Sequence, residues 1–164
     1  VEIALPRPGN LVLQYVVTGT MSDLRIPPLN SPTRADDLWR HTCFEAFVRA
    51  PPAAAYYELN FAPSAQWAAY RFAGYRTGKS VASEMAAPRF NVRSDAGSYA
   101  LKASLELGRL SNLPRDAAWH FGLSAVIEES NGRKSYWALA HPPGKADFHH
   151  SDCFAYELSA TDNA

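Results

Sequence analysis

From Leu38 to Arg76 apolar and polar positions alternate in short runs: LWRHTCFEAFV, then YYELNFAPSAQWAAYRFAGYR, broken by Pro- and Ala-rich turns. Alternation with β-branched and aromatic content predicts three successive strands. Successive side chains of a strand face opposite sides, so each parity defines a face. Phe44, Ala46, Val48, Tyr57, Leu59, Phe61, Ala68, Tyr70 and Phe72 are expected on the core face. Cys43, Glu45, Phe47, Glu58, Asn60, Trp67 and Arg71 fall on the other. If the strands are neighbours, an acid, an amide, an indole and a guanidinium share one surface. Such a surface suits a hydroxyl-bearing ligand with an apolar face, such as a sugar.

The same pattern continues on both sides. Strands are expected over Glu2–Leu5, Leu11–Val17 and Leu24–Ile26, the last inside the Pro-rich connection 18–37. Phe90–Ser94 and Tyr99–Leu105 read as a hairpin across Asp95-Ala96-Gly97. Leu107–Leu113 reads as one helical turn ended by Pro114. Trp119–Ile127 and Lys134–Leu139 read as strands joined at Asn131-Gly132, a pair that tolerates positive φ at both positions. Cys153–Leu158 is the expected last strand, and Ser159–Ala164 is expected to fray. Many short strands without a long helix predict a single-domain, mainly antiparallel β-sandwich over residues 1–164.

Composition narrows the function classes. Hydrophobic content of 47% marks a folded globular chain. The formal net charge of zero comes without a basic stripe, so neither nucleic acid nor an anionic membrane surface is an expected partner. No apolar run reaches transmembrane length. The two cysteines, Cys43 and Cys153, are expected as reduced buried thiols. With no leader pattern at Val1, the expected compartment is cytoplasmic.

The segments LWRHTCFEAFV, YYELNFAPSAQWAAYRFAGYR and YWALAHPPGKADFHH resemble the DOMON-like group related to family 9 carbohydrate-binding modules. The likeness runs from about Val12 to Leu158 and implies an immunoglobulin-like or jelly-roll-like sandwich. In that group some members bind sugars and others bind haem. Sugar binding would use Trp39, Trp67 and Trp137 as stacking platforms, with Glu45, Asn60 and Arg71 as polar partners.

Each candidate has a structural counterpart. The indoles can stack on sugar C–H faces or fill the core; Trp119 shares parity with Phe121, Leu123 and Ile127 and is assigned to the core. Glu45 and Arg71 can hold a ligand or form a structural ion pair. Glu45 with Glu58 also fits the two-carboxylate pattern of glycosidases, but acid pairs on adjacent strands are common and no catalysis is expected. Arg40, His41, Glu58 and His149 lie within the same segments and complete the expected ligand-binding set. His141, His149, His150 and Asp152 match no metal motif, so no metal is expected. Haem would need a Met or His axial ligand, and Met21 and Met85 lie in unmarked connections, so no cofactor is expected. The expectation is non-catalytic binding of a small carbohydrate or polyol. A haem electron-transfer domain or a protein-interaction module is the alternative.

Overall fold

Short alternating segments cannot satisfy their own backbone groups, so they pair. Among residues 1–159, which the computed structural model describes, twelve strands form two sheets. β1 (Glu2–Arg7), β2 (Asn10–Thr18), β8 (Arg89–Ser94) and β9 (Ser98–Glu106) form a four-stranded sheet in the order β1-β2-β9-β8. The larger sheet runs β11-β10-β4-β5-β6-β3: Lys134–Ala138, Trp119–Glu128, Cys43–Arg49, Tyr56–Phe61, Gln66–Phe72 and Thr33–Arg34. β7 (Ser80–Val81) adds to β6, and β12 (Tyr156–Leu158) adds to β10. All pairs are antiparallel except β3 with β6. The architecture is the expected all-β, immunoglobulin-like sandwich. No helix among the described residues is long and apolar enough to cross a membrane.

Between the sheets Leu11, Leu13, Phe44, Val48, Leu59, Phe61, Leu101 and Phe121 are fully buried. A second apolar cluster lies on the outer face of the larger sheet, where Cys43, Phe47, Tyr56, Tyr70, Phe72 and Val126 meet Leu38, Phe148 and Phe154. Leu38 sits in a short 3-10 turn, Leu38–Arg40; Phe148 and Phe154 come from the long connection after β11. The central strand β5 is therefore buried on both faces along its whole length.

Several boundaries move. The connection 18–37 contributes its strand at Thr33–Arg34, not at Leu24–Ile26; Leu24 makes only an isolated bridge to Glu129. Cys153 ends a 3-10 turn, and the last strand starts at Tyr156. At Asn131-Gly132 only Gly132 takes a positive φ, +87°, because the turn closes from Gly132 N–H to Glu129 O at 2.9 Å. Residues 160–164, the greater part of the expected frayed end, lie outside the described residues.

Candidate functional site

Cross-strand register builds the outer face row by row. Ser124, Glu45, Asn60 and Ala68 are successive neighbours on β10, β4, β5 and β6. The next row is Gly122, Phe47, Glu58 and Tyr70. Glu45, Glu58, Asn60 and Ser124 are all at least nine-tenths buried. Buried polar groups are normally paired, and here the pairing is uneven. Asn60 Nδ2 donates to Glu58 Oε1 at 2.7 Å, and Cys43 Sγ approaches Asn60 Oδ1 at 3.9 Å. The buried Ser124 Oγ has no hydrogen-bond partner among the described residues.

Burial and the neighbouring Glu58 push the Glu45 carboxyl up to about 8, against the weaker opposing field of Arg76. Glu45 is therefore neutral at pH 7. Burial also raises Glu58, while the Asn60 hydrogen bond pulls it back.

A polar clamp holds the covering loop over this face. Asp147 accepts from Arg76 Nη2 at 2.6 Å, from the Tyr75 hydroxyl, and from His149 N–H at 3.1 Å. Although burial opposes ionisation, the Arg76 and Tyr75 hydrogen bonds hold the Asp147 carboxyl down to about 2. His149 packs edge-on against Phe47 and Phe72, with centroids 5.0 and 5.1 Å away. Burial, reinforced by the field of Arg76, lowers His149 to about 4. The ring is thus neutral. Tyr56 OH lies 2.8 Å from Nδ1 and itself accepts from Arg76 N–H at 3.2 Å. With its proton given to Nδ1, Tyr56 leaves Nε2–H facing Glu58 Oε2 at 3.7 Å. That approach joins a neutral donor to a carboxyl and is not an ion pair. On the β6 side Lys79 Nζ sits 3.8 Å above the Tyr70 ring, and the Tyr70 hydroxyl donates to Asp36.

The structure brings Glu45, Glu58, Asn60 and His149 together. It separates Trp67 and Arg71 from them. Phe61 pairs with Trp67 and Tyr57 with Arg71, so both β6 residues share the inner parity. Trp67 packs in the main core, and Arg71 lies exposed at its margin. The turn that sets this register places Ala65 at φ +69° and closes Ala62 N–H to Gln66 O at 2.9 Å. Ala68, Tyr70 and Phe72 look like the core set by apolarity but belong to the outer face, because that face is covered too. No Glu45–Arg71 pair is possible across the sheet.

Trp39 stands about half exposed beside Leu38 on the covering turn, with the Arg40 guanidinium 5.6 Å from its ring. His41 Nδ1 meets Glu128 Oε2 at 2.7 Å, beside the Arg25–Glu128 ion pair. Trp137, 64% exposed, lies apart, on the inner parity of β11. It borders a cleft of about 640 Å³ whose walls include Tyr15, Val17, Leu123 and Leu139. The cleft draws its walls from β2, β10 and β11. Sequence reasoning missed Ser124, Tyr56, Tyr70, Arg76 and Asp147. Only Ser124 carried a signal, a polar residue on the parity opposite Trp119, Phe121 and Leu123.

No group of three or more His, Cys, Asp or Glu that could hold a metal occurs among the described residues. Met85 is packed in the main core, which does not suit an axial haem ligand. Cys43 and Cys153 are free buried thiols.

No family model matches the chain, and no curated protein matches it significantly. Among solved structures it is similar to a "putative carbohydrate-binding protein" from Bacteroides uniformis ATCC 8492, with a TM-score of 0.65 and 13% identity. The match covers 93% of this chain and 73% of the other. At that identity the likeness establishes a shared β-sandwich fold.

Proposed function

We propose that the chain is a DOMON-like, carbohydrate-binding-module-9-like domain that binds a small carbohydrate or polyol without converting it. The ligand would sit on the outer face of the larger sheet, over Glu45, Asn60 and Ser124. The observation that carries this reading is the buried Ser124 Oγ left without a partner beside the Glu45 carboxyl. An unpaired buried hydroxyl costs about 1–3 kcal/mol, which a ligand hydroxyl could recover. Trp39, on the covering turn, is the available stacking ring; Trp67 is not. The Bacteroides structure supports the reading by fold and by name only. Because the polar row is buried, the cover must move for a ligand to reach it. Thermal melting against mono- and disaccharides at high concentration tests the reading, since a ligand of the folded state raises Tm. A sugar-specific rise that Ser124→Ala diminishes supports it; a flat panel refutes it.

One observation favours a protein-interaction module instead. Tyr136, Trp137 and Leu139 are exposed on and beside the edge strand β11. Leu139 N–H bonds Leu123 O and Glu129 N–H bonds Arg133 O, so the alternate residues Lys134, Tyr136 and Ala138 turn their backbone groups outward. A dimer in solution that Tyr136→Lys dissociates would favour this alternative; a monomer at every concentration would remove the dimeric form of it.

A further inference from the structure

The polar row keeps unspent hydrogen-bonding groups that are rich in oxygen. Asn60 has given an amide N–H to Glu58, leaving Oδ1 with only a distant thiol. Glu58 Oε1 is occupied, while Oε2 faces His149 at 3.7 Å, beyond hydrogen-bond length. Ser124 Oγ is unpartnered and buried beside Glu45 on the neighbouring strand. What remains is a set of oxygens, carboxyl, amide and hydroxyl, on adjacent strands. An ammonium group brings three donors and no acceptor. A neutral hydroxyl brings one donor and no charge to set against the two acids.

Charge points the same way. The cations around the row are already committed: Arg76 to Asp147, Lys79 to the Tyr70 ring, and Arg34 to Asp36. On β4 itself Arg49 lies 4.6 Å from the Phe154 ring, with its buried Nε unpaired and no contact to Glu45 or Glu58 among the ion pairs of the described residues. From β10, His120 pairs with Glu157, and Glu128 with Arg25 and His41. His149 is held neutral in its aromatic surround. Glu45 and Glu58 are left as two acids without a dedicated cation.

We propose that the ligand of this face is a hydroxylated primary amine, an amino sugar or amino-polyol, whose ammonium rests against Glu45, Glu58 and Ser124. The inference depends on the carbohydrate-binding reading of the same face. In the empty protein Glu45 carries a proton at neutral pH. An arriving ammonium takes that proton's place: the Glu45 O–H proton passes to solvent, and the carboxylate pairs with the ligand. Binding is therefore linked to proton release.

The test is calorimetric titration at pH 7 with glucosamine, galactosamine and mannosamine, each beside its N-acetyl derivative and its parent hexose. At least one amino sugar is expected to bind about tenfold or more tightly than both counterparts, as a charge-assisted hydrogen bond warrants. Repeating the titration in buffers of different ionisation heat should show release of close to one proton. Glu45→Gln should abolish both the preference and the proton release. Ser124→Ala, a milder change, should weaken the amine severalfold. Parent or N-acetyl sugars binding as tightly as the amine would overturn the inference and leave the carbohydrate reading standing. No binding by any of these sugars would overturn both. An amine preference that survives in both variants would place the ammonium elsewhere and overturn the assignment.

Discussion

Glu45 is the residue on which most physical consequences converge. Its carboxyl titrates near 4.5 in an unfolded chain and near 8 here. Between those values the folded state holds a proton that the unfolded state has lost, so stability falls as pH rises. Glu58, also raised, adds to the slope in the same direction. His149 acts oppositely: lowered from 6.5 to about 4, it stays neutral in the fold while the unfolded chain is protonated, so stability rises with pH across that window. The two effects offset between about pH 4.5 and 6.5, leaving a net decline from 6.5 to 8. Thermal melts should show that decline in the wild type, and Glu45→Gln should flatten it. Equal slopes in both proteins would contradict a neutral buried Glu45. Trp67 gives a second residue-level test. Packed in the main core, it should cost about 3–5 kcal/mol when replaced by Ala, read by chemical denaturation. A ligand-contacting Trp67 would instead lose binding at unchanged stability.

At the scale of elements, legibility depended on how many faces a strand buries. Alternation located β2, β4, β5, β9 and β10, and it alone put Glu45, Glu58 and Asn60 on one surface. It misled on β6 because Ala68, Tyr70 and Phe72 are apolar for a different reason, contact with the cover and not with the opposite sheet. Where both faces are dry, apolarity no longer tells them apart, and register must come from the turn; here that is Ala65 in the left-handed region. β3 and β7 were too short to leave a pattern. The Arg76–Asp147 clamp joins segments 71 residues apart, so nothing local announced it. That clamp yields its own prediction. Asp147→Ala removes acceptors for Arg76, Tyr75 and His149, and should cost about 1.5–3 kcal/mol. Limited proteolysis should then cut within residues 139–155 under conditions where the wild type resists; an unchanged digest would show that apolar packing alone holds the loop.

On the scale of the whole molecule, unequal sheets decide what is left accessible. The larger sheet has more strands than the smaller, and on its terminal strand β11 Trp137 meets solvent beside the cleft. The larger sheet's other face carries its own apolar cluster, and the polar row lies within that dry layer. On the proposed reading, binding at the row and stability of the cover would be coupled, because an entering ligand would have to displace contacts that the empty protein makes. Gly122 bears directly on that coupling. It lies on the outer face beside Phe47, and a methyl group built there would stand 2.9 Å from the Cys153 carbonyl oxygen. Gly122→Ala would act as a doorstop one carbon wide, holding the cover away from the sheet. The variant should melt lower, by about 1–3 kcal/mol in stability, and associate with its ligand faster than the wild type in stopped-flow mixing. The bare backbone at Gly122 would then set the speed of entry without touching the ligand at all.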